Sequence, residues 1–272
     1  MERRAFIYTF MMSSGGMILH GTKLNAMKPE KDDILIRMIF NNTGSCKGLK
    51  NAWGLSVWIE QSNEITLFDT GSDPDILQGN MTYLGLDSSR INRLIISHDH
   101  WDHNAGIEMI LGKLPEKTNL YMVEQFREDY IKRYPDAQII GVDEPLQIAD
   151  HVWSTGSQSI TYKDESLYEQ SVILTKDNTM VLLTGCSHPG IVKIAKRALE
   201  IHPDKTLVLV AGGFHLMRTP ENEVREISEE LMDLGIANLA PSHCTGDKSI
   251  KIFREHWKDR FIDMNLGDQY IL

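Results

Sequence analysis

Residues 97–103 read Ser-His-Asp-His-Trp-Asp-His, with three histidines and two aspartates in seven positions. They follow the apolar run Leu94-Ile95-Ile96, which reads as the end of a buried strand. Imidazoles and carboxylates are costly to bury unless something compensates them. A metal ion suits this mixture. Side chains at i and i+2 of an extended chain project to one side, so His98 and His100 can hold one ion together. Asp102 and His103 lie past them, where the chain turns toward a helix, and can face a second ion. Imidazole with carboxylate favours zinc, iron or manganese over calcium. Other stretches carry the same residue types: Cys186-Ser187-His188, Gly212-Gly213-Phe214-His215 and His243-Cys244. The paired glycines let backbone approach a ligand closely. His215 then binds substrate, donates a proton or ligates an ion.

These groups need a scaffold, and the pattern around them predicts one. Strands are expected over 34–40, 55–60 and 65–69, the last two as a hairpin turning at 61–63. A short helix is expected over 75–83, a buried strand over 91–97 and a helix over 105–114. Strands 120–123 and 138–142 flank a charged helix, 124–134. A second hairpin is expected from 171–175 and 180–184. Helix 190–201, strand 206–211, helix 221–234, strand 237–240, helix 248–257 and a strand at 270–272 complete the order. Hairpins followed by strand–helix alternation imply mixed sheets covered by helices in one domain, residues 29–272. Segments 41–54, 72–90 and 156–170 read as the loops that set specificity.

The first 28 residues read differently. Arg3-Arg4 precedes Phe6-Ile7, then an apolar run to Leu19 and a polar boundary. This resembles a twin-arginine export signal, so the expectation is export to the periplasm or cell surface, with the cytoplasm as the alternative. The apolar run is too short and interrupted for a stable membrane span. Net charge is −10, which disfavours a nucleic-acid partner and leaves a small-molecule substrate. Three widely spaced cysteines do not form a disulfide framework.

His98, His100, Asp102 and His103 form an H-x-H-x-D-H signature that resembles the metallo-β-lactamase superfamily. Leu67-Phe68-Asp69-Thr70-Gly71, Val181-Leu182-Leu183-Thr184-Gly185 and Pro241-Ser242-His243 resemble its further motifs, in the order the family requires. The run from Thr184 to Gly190, Gly212 to His215 and His243 to Gly246 is similar to a branch labelled dihydropterin-ribofuranosylaminobenzene phosphate synthase-like. The resemblance implies an α+β fold, a four-layer αβ/βα sandwich of two mixed sheets, with the site at one edge. It implies two divalent ions, zinc first, with manganese or iron as alternatives. His98, His100 and His188 would hold one, and Asp102, His103 and His243 the other. Asp69 would accept a hydrogen bond from a ligand histidine.

Two departures stand out. Trp153-Ser154-Thr155-Gly156 lacks the histidine many relatives carry there, and Cys186 stands where many have a bridging aspartate. Cys186 either bridges the ions as thiolate or supports the site from beneath as a small buried residue. The resulting expectation is a hydrolase whose metal-activated hydroxide attacks an ester, phosphoester or cyclic amide, with Asp102 and His215 as catalytic groups. The alternatives are an iron-dependent redox enzyme on the same fold and a non-catalytic, metal-holding binding protein.

Overall fold

Alternation along the strands decides the layers. In Val172–Lys176, Val172 and Leu174 enter one core and Ile173 another; in Thr179–Thr184, Val181 and Leu183 oppose Met180 and Leu182. Both faces are therefore buried, and each sheet needs a partner layer on each side. The computed structural model describes residues 11–13, 16–19, 32–114, 118–162 and 165–272.

The first sheet holds β1 (Met11–Ser13), β2 (Gly16–Leu19), β3 (Ile34–Asn41), β4 (Leu55–Gln61), β5 (Glu64–Phe68), β6 (Arg93–Ile95), β7 (Asn119–Val123), β8 (Gln138–Val142) and the last strand, β17 (Gln269–Ile271). Its order is β1-β2-β17-β3-β4-β5-β6-β7-β8. The second holds β9 (Leu146–Ala149), β10 (Val152–Ser154), β13 (Val172–Lys176), β14 (Thr179–Thr184), β15 (Thr206–Gly213) and β16 (Asn238–Ser242), in the order β16-β15-β14-β13-β10-β9. Between β10 and β13 in sequence, β11 (Gln158–Tyr162) and β12 (Glu165–Glu169) form a separate hairpin.

The helices are α1 (Pro74–Tyr83), α2 (Trp101–Asn104), α3 (Ile107–Leu111), α4 (Arg127–Arg133), α5 (Ile191–Ile201), α6 (Glu221–Asp233) and α7 (Asp247–Trp257). One apolar core lies between the sheets, from Ile36, Val57 and Phe68 to Leu174, Leu183 and Ala211. A second packs the outer face of the first sheet on α1, α3 and α4, and a third packs α5, α6 and α7 on the second sheet. This is the four-layer αβ/βα sandwich that the family resemblance implies.

β5, β6, β7 and β8 run parallel, as do β14, β15 and β16. Open parallel sheets collect ligands at the carboxyl ends of their strands. Asp69 follows β5, residues 97–103 follow β6, and Cys186, His215 and His243 follow β14, β15 and β16. Topology brings every motif to one edge.

Some elements differ from expectation. The strand predicted over 91–97 is only Arg93–Ile95, because Ser97 gives its backbone N–H to Asp69 instead of a ladder partner. The helix expected over 105–114 is Ile107–Leu111, and Trp101–Asn104 forms its own helical turn ahead of it. The segment 156–170, expected as a loop, is largely the β11–β12 hairpin. Strands β9 and β10 were not foreseen; each has at most four residues and little alternation. In the amino-terminal segment, β2 pairs with β1 and with β17, extending the first sheet. The Arg3-Arg4 motif lies outside the described residues. No described helix is long and apolar enough to cross a membrane.

Candidate metal centre

Asp69 anchors the centre from beneath. It is fully buried and holds a left-handed backbone, φ 59°, rare for a non-glycine residue. Its Oδ1 accepts the Ser97 N–H at 2.7 Å, and its Oδ2 accepts the Ser97 hydroxyl at 2.8 Å and His103 Nδ1 at 2.7 Å. Ser97 Oγ in turn meets His98 Nδ1 at 2.8 Å. His243 Nδ1 meets Asn42 Oδ1 at 2.7 Å. These partners place a proton on Nδ1 of His98, His103 and His243, so that the neutral form of each ring turns its Nε2 into the centre as an acceptor.

Those acceptors face other nitrogens. His98 Nε2 lies 3.0 Å from His100 Nδ1, which lies 3.3 Å from His188 Nε2. His103 Nε2 lies 3.2 Å from His243 Nε2, and Asp102 Oδ2 lies 3.4 Å from the same His243 atom. Lone pairs aimed at one another repel unless a proton or a metal cation sits between them. Zinc–nitrogen bonds of about 2.0–2.1 Å in a tetrahedral site put donor nitrogens about 3.3 Å apart. The donor chemistry and spacing therefore fit divalent ions.

Cys186 is buried and adjoins these donors. Its sulfur is 3.2 Å from His103 Nε2 and within 4.8 Å of donor atoms in two groups: Asp102, His103 and His243, and His98 with His188. His215 is exposed and adjoins His188, ring centroids 4.2 Å apart. It hydrogen-bonds Cys244, which raises its pKa against the opposing effect of burial.

The two histidine groups carry different electrostatics. Burial pushes His98 well below the usual imidazole range, and nearby imidazoles push the same way. His100 is lowered by burial, and His188 is held at about 3 by burial and then by His215 and His100. Burial also opposes charge on His103, but Asp69 and Asp102 outweigh it and raise its pKa to about 9. Burial would raise Asp102, yet the hydrogen bond with His243 and the charge of His103 hold it below the usual carboxylate range. Burial pushes the Cys186 thiol up.

The local chain is shaped for this arrangement. Ser187, His215 and His243 also take left-handed φ values of 64°, 54° and 50°. Such outliers cluster where surrounding structure over-determines them. Gly213 is required, since a Cβ there would stand 2.5 Å from the Gly185 carbonyl oxygen and 2.6 Å from Cys244 Sγ. The histidine loop is braced by Asp99, which accepts from Asn104 Nδ2 at 2.7 Å and from Tyr130 Oη at 2.6 Å.

Sequence reasoning missed Glu169. Its buried carboxylate accepts the N–H groups of Cys186, Ser187 and His188, each at 2.8 Å. Burial pushes its pKa up to about 7, against the pull of those N–H groups. No motif marks this residue; only the need of three consecutive N–H groups for an acceptor would have pointed to it. Ser97 and Asn42 were missed as well.

An open cavity of about 970 Å³ adjoins the centre, lined by His188, His215 and Phe214 on one side and by Lys193 and Arg197 of α5 on the other. Trp53 tilts against His243 elsewhere at the rim, ring centroids 5.0 Å apart.

Residues 54–160 match the sequence model of the metallo-beta-lactamase superfamily. The chain is 24% identical to the 7,8-dihydropterin-6-methyl-4-(beta-D-ribofuranosyl)-aminobenzene-5'-phosphate synthase of Methanocaldococcus jannaschii, over 79% of this chain and 88% of that protein. It is 31% identical to ribonuclease Z of the same organism, over 66% of this chain but 54% of that one. Its fold is similar to a crystal structure of a metal-dependent hydrolase of the beta-lactamase superfamily, with TM-score 0.72 and 23% identity over 87% of this chain and 98% of that one. Motif order, sandwich topology and these matches together make the chain similar to the metallo-β-lactamase superfamily in sequence over residues 54–160 and in fold over most of its length.

Proposed function

We propose that this chain is a metal-dependent hydrolase acting on an ester, a phosphoester or a cyclic amide. One observation carries the reading: two sets of ligand atoms converge beside an open cavity of substrate size. His98, His100 and His188 would hold one ion. Asp102, His103 and His243, with the Cys186 sulfur, would hold a second. Divalent ions there, zinc first, supply Lewis-acid polarisation of a substrate oxygen and bring the pKa of a coordinated water to about 7.

The chain's own residues supply the rest. Asp102 stays ionised and accepts a hydrogen bond from the attacking water, orienting it. His215, exposed on the cavity wall, gives a proton to the leaving oxygen. Asp69, Ser97 and Asn42 fix the rings of His98, His103 and His243. Lys193 reaches only the Ser159 carbonyl oxygen among the described residues, so its charge is open to an anionic group. That favours the phosphoester, and the similar synthase carries a phosphate in its name.

The test is a hydrolysis panel of all three substrate classes with zinc- or manganese-loaded protein. We expect turnover on at least one class that stops on chelation and falls by about 10²–10⁴-fold in His215→Ala. A metal-loaded protein inert toward all three classes overturns the reading.

A further inference from the structure

Cys244 has no part in the reading above, yet it sits inside the centre. It is 5% exposed, and its sulfur lies 3.5 Å from the carbonyl oxygen of Cys186. The ligating atoms of Cys186, His215 and Cys244 all lie within 4.8 Å of one another. This third group differs in kind from the other two. His98, His100 and His188 offer three imidazoles, and Asp102, His103 and His243 offer two imidazoles and a carboxylate. Here two thiols accompany one imidazole.

Thiolate sulfur binds zinc-like, thiophilic ions, and two thiolates neutralise a divalent charge in a buried place. Thiolate sulfur also has lone pairs for two ions, so Cys186 can serve this group and its neighbour together. Two further features fit a metal position. Gly213 leaves space that any side chain would take from Cys244 Sγ. His215 is exposed and lines the large cavity, which gives an ion a route in and leaves a coordination position open.

We propose that Cys186, His215 and Cys244 bind a further thiophilic divalent ion, of the zinc and cadmium class, with Cys186 bridging it to the ion held by Asp102, His103 and His243. Binding takes both sulfurs as thiolates, and any thiol proton they carry passes to solvent. An ion on either ring nitrogen of His215 excludes the doubly protonated ring, the form that gives up a proton to a leaving group. Occupation of this position and proton donation by His215 therefore exclude one another, and excess zinc inhibits hydrolysis.

The test is a cadmium titration of the metal-free full chain, followed by equilibrium dialysis and by the ultraviolet absorption of thiolate–cadmium bonds. The wild type is expected to saturate at three equivalents. Cys244→Ser is expected to lose one equivalent, with part of the absorption, and to keep two. His215→Ala serves if Cys244→Ser does not fold, and is expected to weaken the same equivalent at least tenfold. Saturation of the wild type at two equivalents, or three equivalents retained in both variants, overturns this proposal and leaves the two-ion reading in place. Binding of no cadmium overturns both.

Discussion

The imidazole set and the mixed set lie side by side but are held differently. His98 and His100 come from one three-residue stretch, and His188 arrives on a loop clamped by Glu169. The mixed set is gathered from the ends of β6, β14 and β16, and its histidines lean on Asp69 and Asn42. The first set is kept neutral by burial, while His103 of the second is kept protonated by two carboxylates. An ion entering the first set's imidazoles displaces no proton; one entering the second must displace the His103 proton and, where the Cys186 sulfur ligates as thiolate, the thiol proton as well. Neighbouring donor sets can thus differ in proton cost simply through where the carboxylates sit.

The largest effect that separates the sets concerns Asp69. Asp69→Asn tolerates the left-handed backbone and can still accept from Ser97 N–H. Its amide nitrogen then meets His103 Nδ1–H, donor against donor. Affinity at the mixed set is expected to fall about 10–100-fold, and at the imidazole set by less, measured by competition with a chromogenic chelator. Equal loss at both sets would break the distinction.

Glu169 tests the other side. Glu169→Ala leaves three buried N–H groups without an acceptor, each costing about 1–3 kcal/mol before water enters. The expected outcome is a clearly lowered Tm and loss of the ion near His188, with the His243 ion retained. Loss of both ions together would mean that the loop serves the whole centre.

The pH dependence follows from the same contrast. His103 is raised to about 9 in the folded chain, so affinity at the mixed set should rise at least tenfold per pH unit from pH 6 to 8, more steeply where the Cys186 thiol also ionises. His188 titrates at about 3, so the imidazole set should be flat across that range. Calorimetric titrations at several pH values measure both slopes. A slope at the imidazole set would contradict the assigned neutrality.

The smallest effect is at the rim. Lys193→Ala should raise KM for a phosphoester by no more than about fivefold, matching about 1 kcal/mol for an exposed charge, and leave a neutral ester unchanged. Equal effects on both substrates would remove the anion from the account.

The histidine loop and most strand and helix positions were legible in sequence, because periodicity and short-range spacing encode them, while the four-layer architecture followed from the family resemblance. His98, His100, Asp102 and His103 sit within six residues, and the apolar run before them marks the strand. Glu169 was not legible, since its partners lie about seventeen to nineteen residues away and meet it only after the second sheet closes. Cys186 reads as either bridge or buried support, and its sulfur lies close enough to both donor groups for either role. Asn42 fell in a loop read as a specificity element, yet its amide oxygen positions His243. Residues that act through tertiary hydrogen bonds leave no periodic trace.

The central claim is that two neighbouring donor sets each hold an ion. Elemental mass spectrometry on untagged protein, purified without chelator, tests it directly beside His98→Ala, His188→Ala and His243→Ala. The account predicts no fewer than two divalent ions per chain, one lost in His98→Ala and in His188→Ala, and a different one lost in His243→Ala. A wild type with no bound metal, or a metal content unchanged by all three substitutions, would contradict it.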